Sequence, residues 1–250
     1  MTTTIRSLWG TVALVLVALF CLAPAALAGT VGAQISDPPS NNVLDGIYVG
    51  SYSATNTGSG APMQIICDDF RDESNYNPAT YATNTFNSLG STLWGSLLQG
   101  RDSMSQITAL YEQAGWLASG VMSTSGTQQG YYSYALWAVF DPTDVFNWLK
   151  TYNDAAACNA IFGGSSGCTN DGAAAGGLLY SAEQNYMYGN YSNLVILTPN
   201  GCGNVGCPEQ EFFEFVPEGG SPLSYLLLAG LACFATIWLS RRHNPAARTA

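Results

Sequence analysis

Two apolar runs, Leu8 to Leu22 and Leu223 to Leu239, stand near opposite ends of the chain and leave a single stretch between them from which a folded core can be built. The first run follows Arg6, its only early charge, and leads into Pro24-Ala25-Ala26-Leu27-Ala28, where Ala26 and Ala28 match the small residues of a signal-peptide cleavage site. Cleavage near Ala28 is expected. The second run, as a helix rising about 1.5 Å per residue, just covers the roughly 30 Å hydrocarbon core of a bilayer. Arg241, Arg242 and Arg248 follow it, and positive charge beside a span stays cytoplasmic, so the preceding domain is expected outside.

The resulting organisation is a signal peptide over 1–28, a leader or linker over 29–44, an ectodomain over 45–215, a C-terminal segment over 216–243 with a membrane helix at 223–239, and a tail over 244–250. Of the seven Lys and Arg in the chain, only Arg71, Arg101 and Lys150 lie between Gly29 and Pro217. That stretch is therefore more acidic than the −10 of the whole chain, and it repels nucleic acid phosphates and anionic headgroups. Cys21 and Cys233 fall in the apolar runs. Among the other five of the seven cysteines, Cys158 and Cys168 flank a Gly/Ser-rich loop and Cys202 and Cys207 flank Gly-Asn-Val-Gly, so each pair is a candidate disulfide in an oxidising exterior. Cys67 is left over.

The ectodomain reads as α+β. Gly29 to Asn42 is small and polar with Pro38-Pro39, which suggests a leader strand or a linker rather than core. Ile47 to Thr55 and Met63 to Phe70, either side of Thr57-Gly58-Ser59-Gly60, suggest a β-hairpin. Ser103 and Gln106 have capping-box spacing, and the apolar positions from Ile107 to Val121 recur at helical steps. Ser123 to Gly130 reads as a polar loop. Tyr132 to Phe140 is a nearly unbroken apolar stretch, a buried helix or strand. Val145 to Ala157 and Ala173 to Asn185 read as helices, and Leu194 to Thr198 with Glu211 to Val216 as a closing hairpin. Strands at both ends with helices between them suggest a small antiparallel barrel or sandwich with packed helices.

After β-rich Glu211 to Val216 the chain runs Val216-Pro217-Glu218-Gly219-Gly220-Ser221, then the apolar run, then Arg241-Arg242. This composite resembles the PEP-CTERM sorting domain, with Gly219 where the family commonly has a second proline. The resemblance implies recognition by an exosortase, a membrane-embedded transpeptidase-like enzyme. It also implies a Gram-negative cell that makes exopolysaccharide, anchoring in the inner membrane before processing, and delivery to the cell surface or matrix.

Catalytic and metal chemistry find little purchase. The one histidine, His243, lies beyond the second apolar run on its cytoplasmic side, so the ectodomain has neither a Ser-His-Asp triad nor a Cys-His dyad, and no phosphate-binding glycine loop is present. No enzyme activity, cofactor or metal is expected. The cluster Asp68, Asp69, Asp72 and Glu73 lacks a calcium-loop pattern and reads as a solvated acidic turn. Ile66-Cys67-Asp68-Asp69 and Tyr134-Ala135-Leu136-Trp137 resemble the two halves of bacterial surface thioester domains, in which a strand Cys bonds to a Gln that precedes an x-Ala-Ile-Trp helix start. Here Ser133 occupies that Gln position, and Gln128 and Gln129 lie earlier, so Cys67 is expected to be a buried structural residue. Trp94, Trp116, Trp137 and Trp148 read as core. Tyr76, Tyr81, Tyr131 and Tyr191 read as loop aromatics on which sugars could stack. The expected role is structural or adhesive; the alternatives are a covalent thioester adhesin and a carbohydrate-binding surface module.

Overall fold

Six short strands with small or apolar residues at alternate positions close into a barrel in the computed structural model, which describes residues 29–37, 42–70, 77–164, 168, 172–200, 210–216 and 230. They are β1 (Thr30–Asp37), β4 (Ser51–Asn56), β5 (Pro62–Cys67), β6 (Ala79–Asn84), β7 (Leu194–Pro199) and β8 (Phe212–Phe215). The order around the barrel is β1-β4-β5-β8-β7-β6, and every neighbouring pair is antiparallel. A separate two-stranded ribbon joins β2 (Val43–Leu44) to β3 (Ile47–Tyr48). Its turn uses Asp45 and Gly46 at positive φ.

The period of two along each strand divides the buried residues between two faces. Met63, Ile65 and Cys67 alternate on β5 and register with Tyr52 of β4 and Phe212 of β8. The rings of Tyr52 and Tyr81 both meet Phe212 edge-on, at 6.2 and 5.9 Å, and fill the barrel interior. Ile66 and Phe213 point the other way and are equally buried, because helices cover that side. Closure also leaves the six barrel strands without an open edge.

Six α-helices lie among the described residues: α1 (Leu93–Leu98), α2 (Met104–Ser123), α3 (Gly126–Phe140), α4 (Pro142–Thr151), α5 (Ala155–Phe162) and α6 (Leu178–Asn185). The expected capping box is present, with Ser103 and Gln106 serving each other's backbone at the start of α2. Helix α3 is buried from Ser133 to Ala138 without a break, so it is a central helix with no wet face over that stretch. Continuous burial also explains why its sequence carried no clear period. Asp141 and Asp154 cap α4 and α5.

Several expectations need correction. The opening segment, expected as a leader strand or a linker outside the core, is the barrel strand β1 between β4 and β6, with Ala33 and Ile35 buried. The loop expected at Ser123 to Gly130 is mostly the first turn of α3. The helix expected from Ala173 begins only at Leu178, after Gly176 at φ +92. The stretch from Val145 to Ala157 is two helices, divided at Tyr152 to Asp154. The closing hairpin is present as β7 and β8.

The chain divides into two compact units, Met1–Phe215 and Val216–Ala250. No helix among the described residues is long and apolar enough to cross a membrane. The expected signal peptide, the expected span at 223–239 apart from residue 230, and Pro217, Glu218, Gly219, Gly220, Ser221, Arg241 and Arg242 lie outside the described residues. Val216, the first residue of the expected sorting motif, follows β8 directly and is 39% exposed.

Candidate functional site

Strand β5 ends at Cys67, and the next two residues carry carboxyl groups into the interior. Asp68 and Asp69 are 0% and 1% exposed, so the acidic turn is not solvated, contrary to expectation; Asp72 and Glu73 lie outside the described residues. The pairing of Cys67 with Phe212 continues past the strand, with the Asp68 N–H donating to the Glu211 carbonyl at 3.3 Å. Asp68 and Glu211 thereby sit opposite each other where the barrel meets α1 and α2.

Glu211 is fully buried and draws donors from three elements. The backbone N–H of Leu93, at the start of α1, donates to Oε2 at 2.6 Å. Thr198 of β7 donates to the same oxygen at 2.5 Å. The Tyr111 hydroxyl of α2 lies 2.7 Å from Oε1 and equally 2.7 Å from Thr92 Oγ1. Thr92 in turn caps α1 by accepting from the Gly95 N–H at 3.1 Å. A single carboxylate thus ties the first turn of α1, the middle of α2 and two barrel strands together.

No protein donor among the described residues reaches either carboxyl oxygen of Asp68. Its side chain faces the Glu211 carboxyl instead. Burial, then Glu211, then Asp69 push the Asp68 carboxyl well above the usual range. Burial also raises Glu211, against the lowering effect of its donors Leu93, Thr198 and Tyr111. Tyr111 is raised well above 10.0, first by burial and then by the Glu211 carboxylate, so its hydroxyl remains a donor.

Beside this cluster lies the thiol. Cys67 is 2% exposed; its Sγ–H donates to the Asp69 carbonyl at 2.8 Å, and the Asp69 N–H donates back to Sγ at 3.3 Å. Burial, Asp69 and Asp68 raise its thiol well above 9.0, which keeps it protonated and weakly nucleophilic. Trp137 of α3 donates its indole N–H to the Cys67 carbonyl at 2.9 Å, so the two segments that resemble thioester-domain motifs do meet. Ser133 does not join them, because its hydroxyl accepts from the Gly50 N–H at 2.9 Å. Gln129 is held by Val121 and Asn42, and Gln128 is exposed on the first turn of α3.

A different glutamine reaches the thiol's neighbourhood. Gln210 is buried and donates from Nε2 to the Asp69 carbonyl at 3.1 Å, the same oxygen that Cys67 Sγ contacts. The sequence reading missed Gln210, Glu211, Tyr111, Thr92 and Thr198. Its one available signal was Glu211 itself, a charge beside Phe212-Phe213 on an apolar strand.

Cys158, on α5, and Cys168 form a disulfide with Cα atoms 5.2 Å apart; Cys202 and Cys207 lie outside the described residues. No group of three or more His, Cys, Asp or Glu among the described residues is placed to hold a metal ion. The aromatics expected in loops are placed differently. Tyr81 is inside the barrel, Tyr131 is on α3, and Tyr191 is half-buried with its hydroxyl donating to the Tyr186 carbonyl at 2.7 Å. Tyr76 lies outside the described residues. Among the described residues the most exposed aromatic is Tyr188, next to the exposed Met187.

In comparison with known proteins the chain matches no family model, no curated protein and no solved structure.

Proposed function

We propose that this chain is an exported protein of the bacterial cell surface or exopolysaccharide matrix, sorted through its C-terminal signal, with a structural or adhesive role and no enzymatic turnover. The observation that carries this reading is the Cys158–Cys168 disulfide, a bond that persists in oxidising compartments and is rare in the cytosol. An acidic ectodomain bracketed by a signal-like and a span-like run accords with it. So does the sequence Val216-Pro217-Glu218 directly after β8, the segment that resembles the sorting motif. The partner is an exosortase-type enzyme, met in the inner membrane before processing. The motif is tested by substituting Pro217→Ala and Glu218→Ala together. The reading predicts a chain that keeps its C-terminal segment and stays in the membrane fraction, and unchanged processing would refute the motif's role.

A second reading is favoured by a specific contact. The Cys67 thiol and the Gln210 carboxamide hydrogen-bond to one and the same carbonyl, that of Asp69. Attack of Sγ on the Gln210 carboxamide carbon forms a thioester and releases ammonia, with the thiol proton leaving on the departing nitrogen and no change of oxidation state. A nucleophile of a matrix or cell-surface partner then opens the thioester, joining covalently to the Gln210 acyl group and returning the thiol. Intact mass separates the two readings: the covalent adhesin is lighter by one ammonia than its sequence requires, and Cys67→Ala abolishes that deficit. A chain of full mass with a titratable Cys67 thiol supports the structural role alone.

A further inference from the structure

We propose that Asp68 and Glu211 share one proton, and that this proton is a pH-sensitive latch fastening the ends of β5 and β8 to helices α1 and α2. Three observations carry it. Both carboxyl groups are completely buried, and they face each other across a continuing antiparallel pair. The oxygens of Glu211 are already supplied by Leu93, Thr198 and Tyr111, whereas no protein donor among the described residues reaches those of Asp68. Two facing carboxylates in a low-dielectric site repel each other strongly, but a carboxylic acid donating to a carboxylate makes one short, charge-assisted bond.

A cation in place of the proton fits the site poorly. The N–H of Leu93 and the hydroxyls of Thr198 and Tyr111 all direct hydrogens at Glu211, which is the arrangement that solvates an anion. The remaining titratable groups facing the pair deepen the effect. Asp69 and Cys67 approach from the end of β5 and Tyr111 from α2, and among the described residues no cation acts on either carboxyl. With Glu211 already accepting from three donors, Asp68 is the member that carries the proton.

The pH dependence has a definite sign. The folded domain holds the Asp68 proton more tightly than an unfolded chain, whose aspartates titrate near 3.8. The stabilisation is therefore complete below that value and is lost as pH rises through the elevated folded value. Within the window the unfolded state binds one proton fewer. The folded-to-unfolded ratio then falls about tenfold per pH unit.

The test measures denaturant unfolding of the full chain over a pH series, for the unaltered protein and for Asp68→Asn, which keeps a donor toward Glu211 but cannot titrate. The expected result is a one-proton decline in stability with rising pH that the substitution flattens. An identical slope in the variant would overturn the latch. Should Asp68→Asn fail to fold, infrared spectroscopy of the unaltered protein decides the matter. A protonated-carboxyl band that shifts on deuteration and persists to neutral pH is the expected result, and its absence at neutral pH would overturn the proposal.

Discussion

The indole N–H of Trp137 donates to the backbone carbonyl of Cys67 at 2.9 Å, pinning the last turn of the central helix α3 to the last residue of strand β5. The same ring lies 5.4 Å from Phe70 and meets Tyr134 edge-on at 5.2 Å, so the bond is held inside an aromatic cluster. Position and packing together make Trp137 the hinge between the helical layer and the barrel. Trp137→Phe removes the donor while keeping most of the volume, and leaves a buried carbonyl without its partner. We expect a loss of about 1 to 3 kcal/mol, read as a lower denaturant midpoint at unchanged slope.

Tyr111→Phe tests the carboxylate knot from the helix side. The hydroxyl it removes contacts both Glu211 and Thr92 at full burial. The expected cost is about 1.5 to 3 kcal/mol, as for a hydrogen bond to a charged group. Equal stability in urea unfolding would mean that Glu211 draws nothing from α2.

Gly95 occupies the first turn of α1, directly above the same knot. A Cβ there would lie 1.7 Å from the carbonyl oxygen of Leu89, which is backbone and cannot swing aside. Gly95→Ala should therefore cost about 1 to 3 kcal/mol or more despite alanine's better helix propensity. Thermal unfolding that is unaffected, or improved, would show that the turn Leu89–Ser91 yields freely.

Tyr191 supplies a spectroscopic check on burial. Its hydroxyl is pushed up to about 12, by partial burial first and by the Glu112 carboxylate second. Its ring stacks on Phe86 at 5.6 Å. In an alkaline absorbance titration, the difference between the unaltered chain and Tyr191→Phe should appear near that value and not near 10.0. Because the folded value is raised, the group's stabilisation is complete below 10.0 and disappears as pH climbs through about 12.

The Cys158–Cys168 disulfide closes a loop of sequence separation 10. Chain-entropy reasoning assigns such a closure about 2.5 to 3 kcal/mol. Reductant should lower the unfolding midpoint of the unaltered chain by that amount and leave Cys158→Ser/Cys168→Ser unchanged. Insensitivity of both proteins to reductant would remove this bond as a support of the domain.

The elements that the sequence made legible were those whose signals are local. The capping box at Ser103 and Gln106 and the closing hairpin both depend on residues close in the chain, and both are present. Strand β1 was obscured because Gly32, Ala33 and Ser36 look like linker residues. Its alternation of Val31, Ala33 and Ile35 acquires meaning only once β4 and β6 flank it. The site was the least legible part. Asp68 meets Glu211, and Tyr111 meets both Glu211 and Thr92, through contacts that span up to 100 residues or more of sequence. Asp68 and Asp69 look like a wet acidic turn until the fold closes over them. The two segments that resemble thioester-domain motifs meet through Cys67 and Trp137, yet the glutamine that reaches Asp69 is Gln210, from the opposite end of the domain.

The most direct measurement follows the chain in cells with and without the sorting enzyme, recording compartment, intact mass and the redox state of Cys158 and Cys168. The account predicts surface or matrix material lacking residues up to about Ala28, shortened near the sorting motif, and disulfide-bonded. Without the enzyme it predicts a heavier form retained in the inner membrane. Recovery of residues 30–215 from the cytosol, with the leader attached and both thiols reduced, would contradict it.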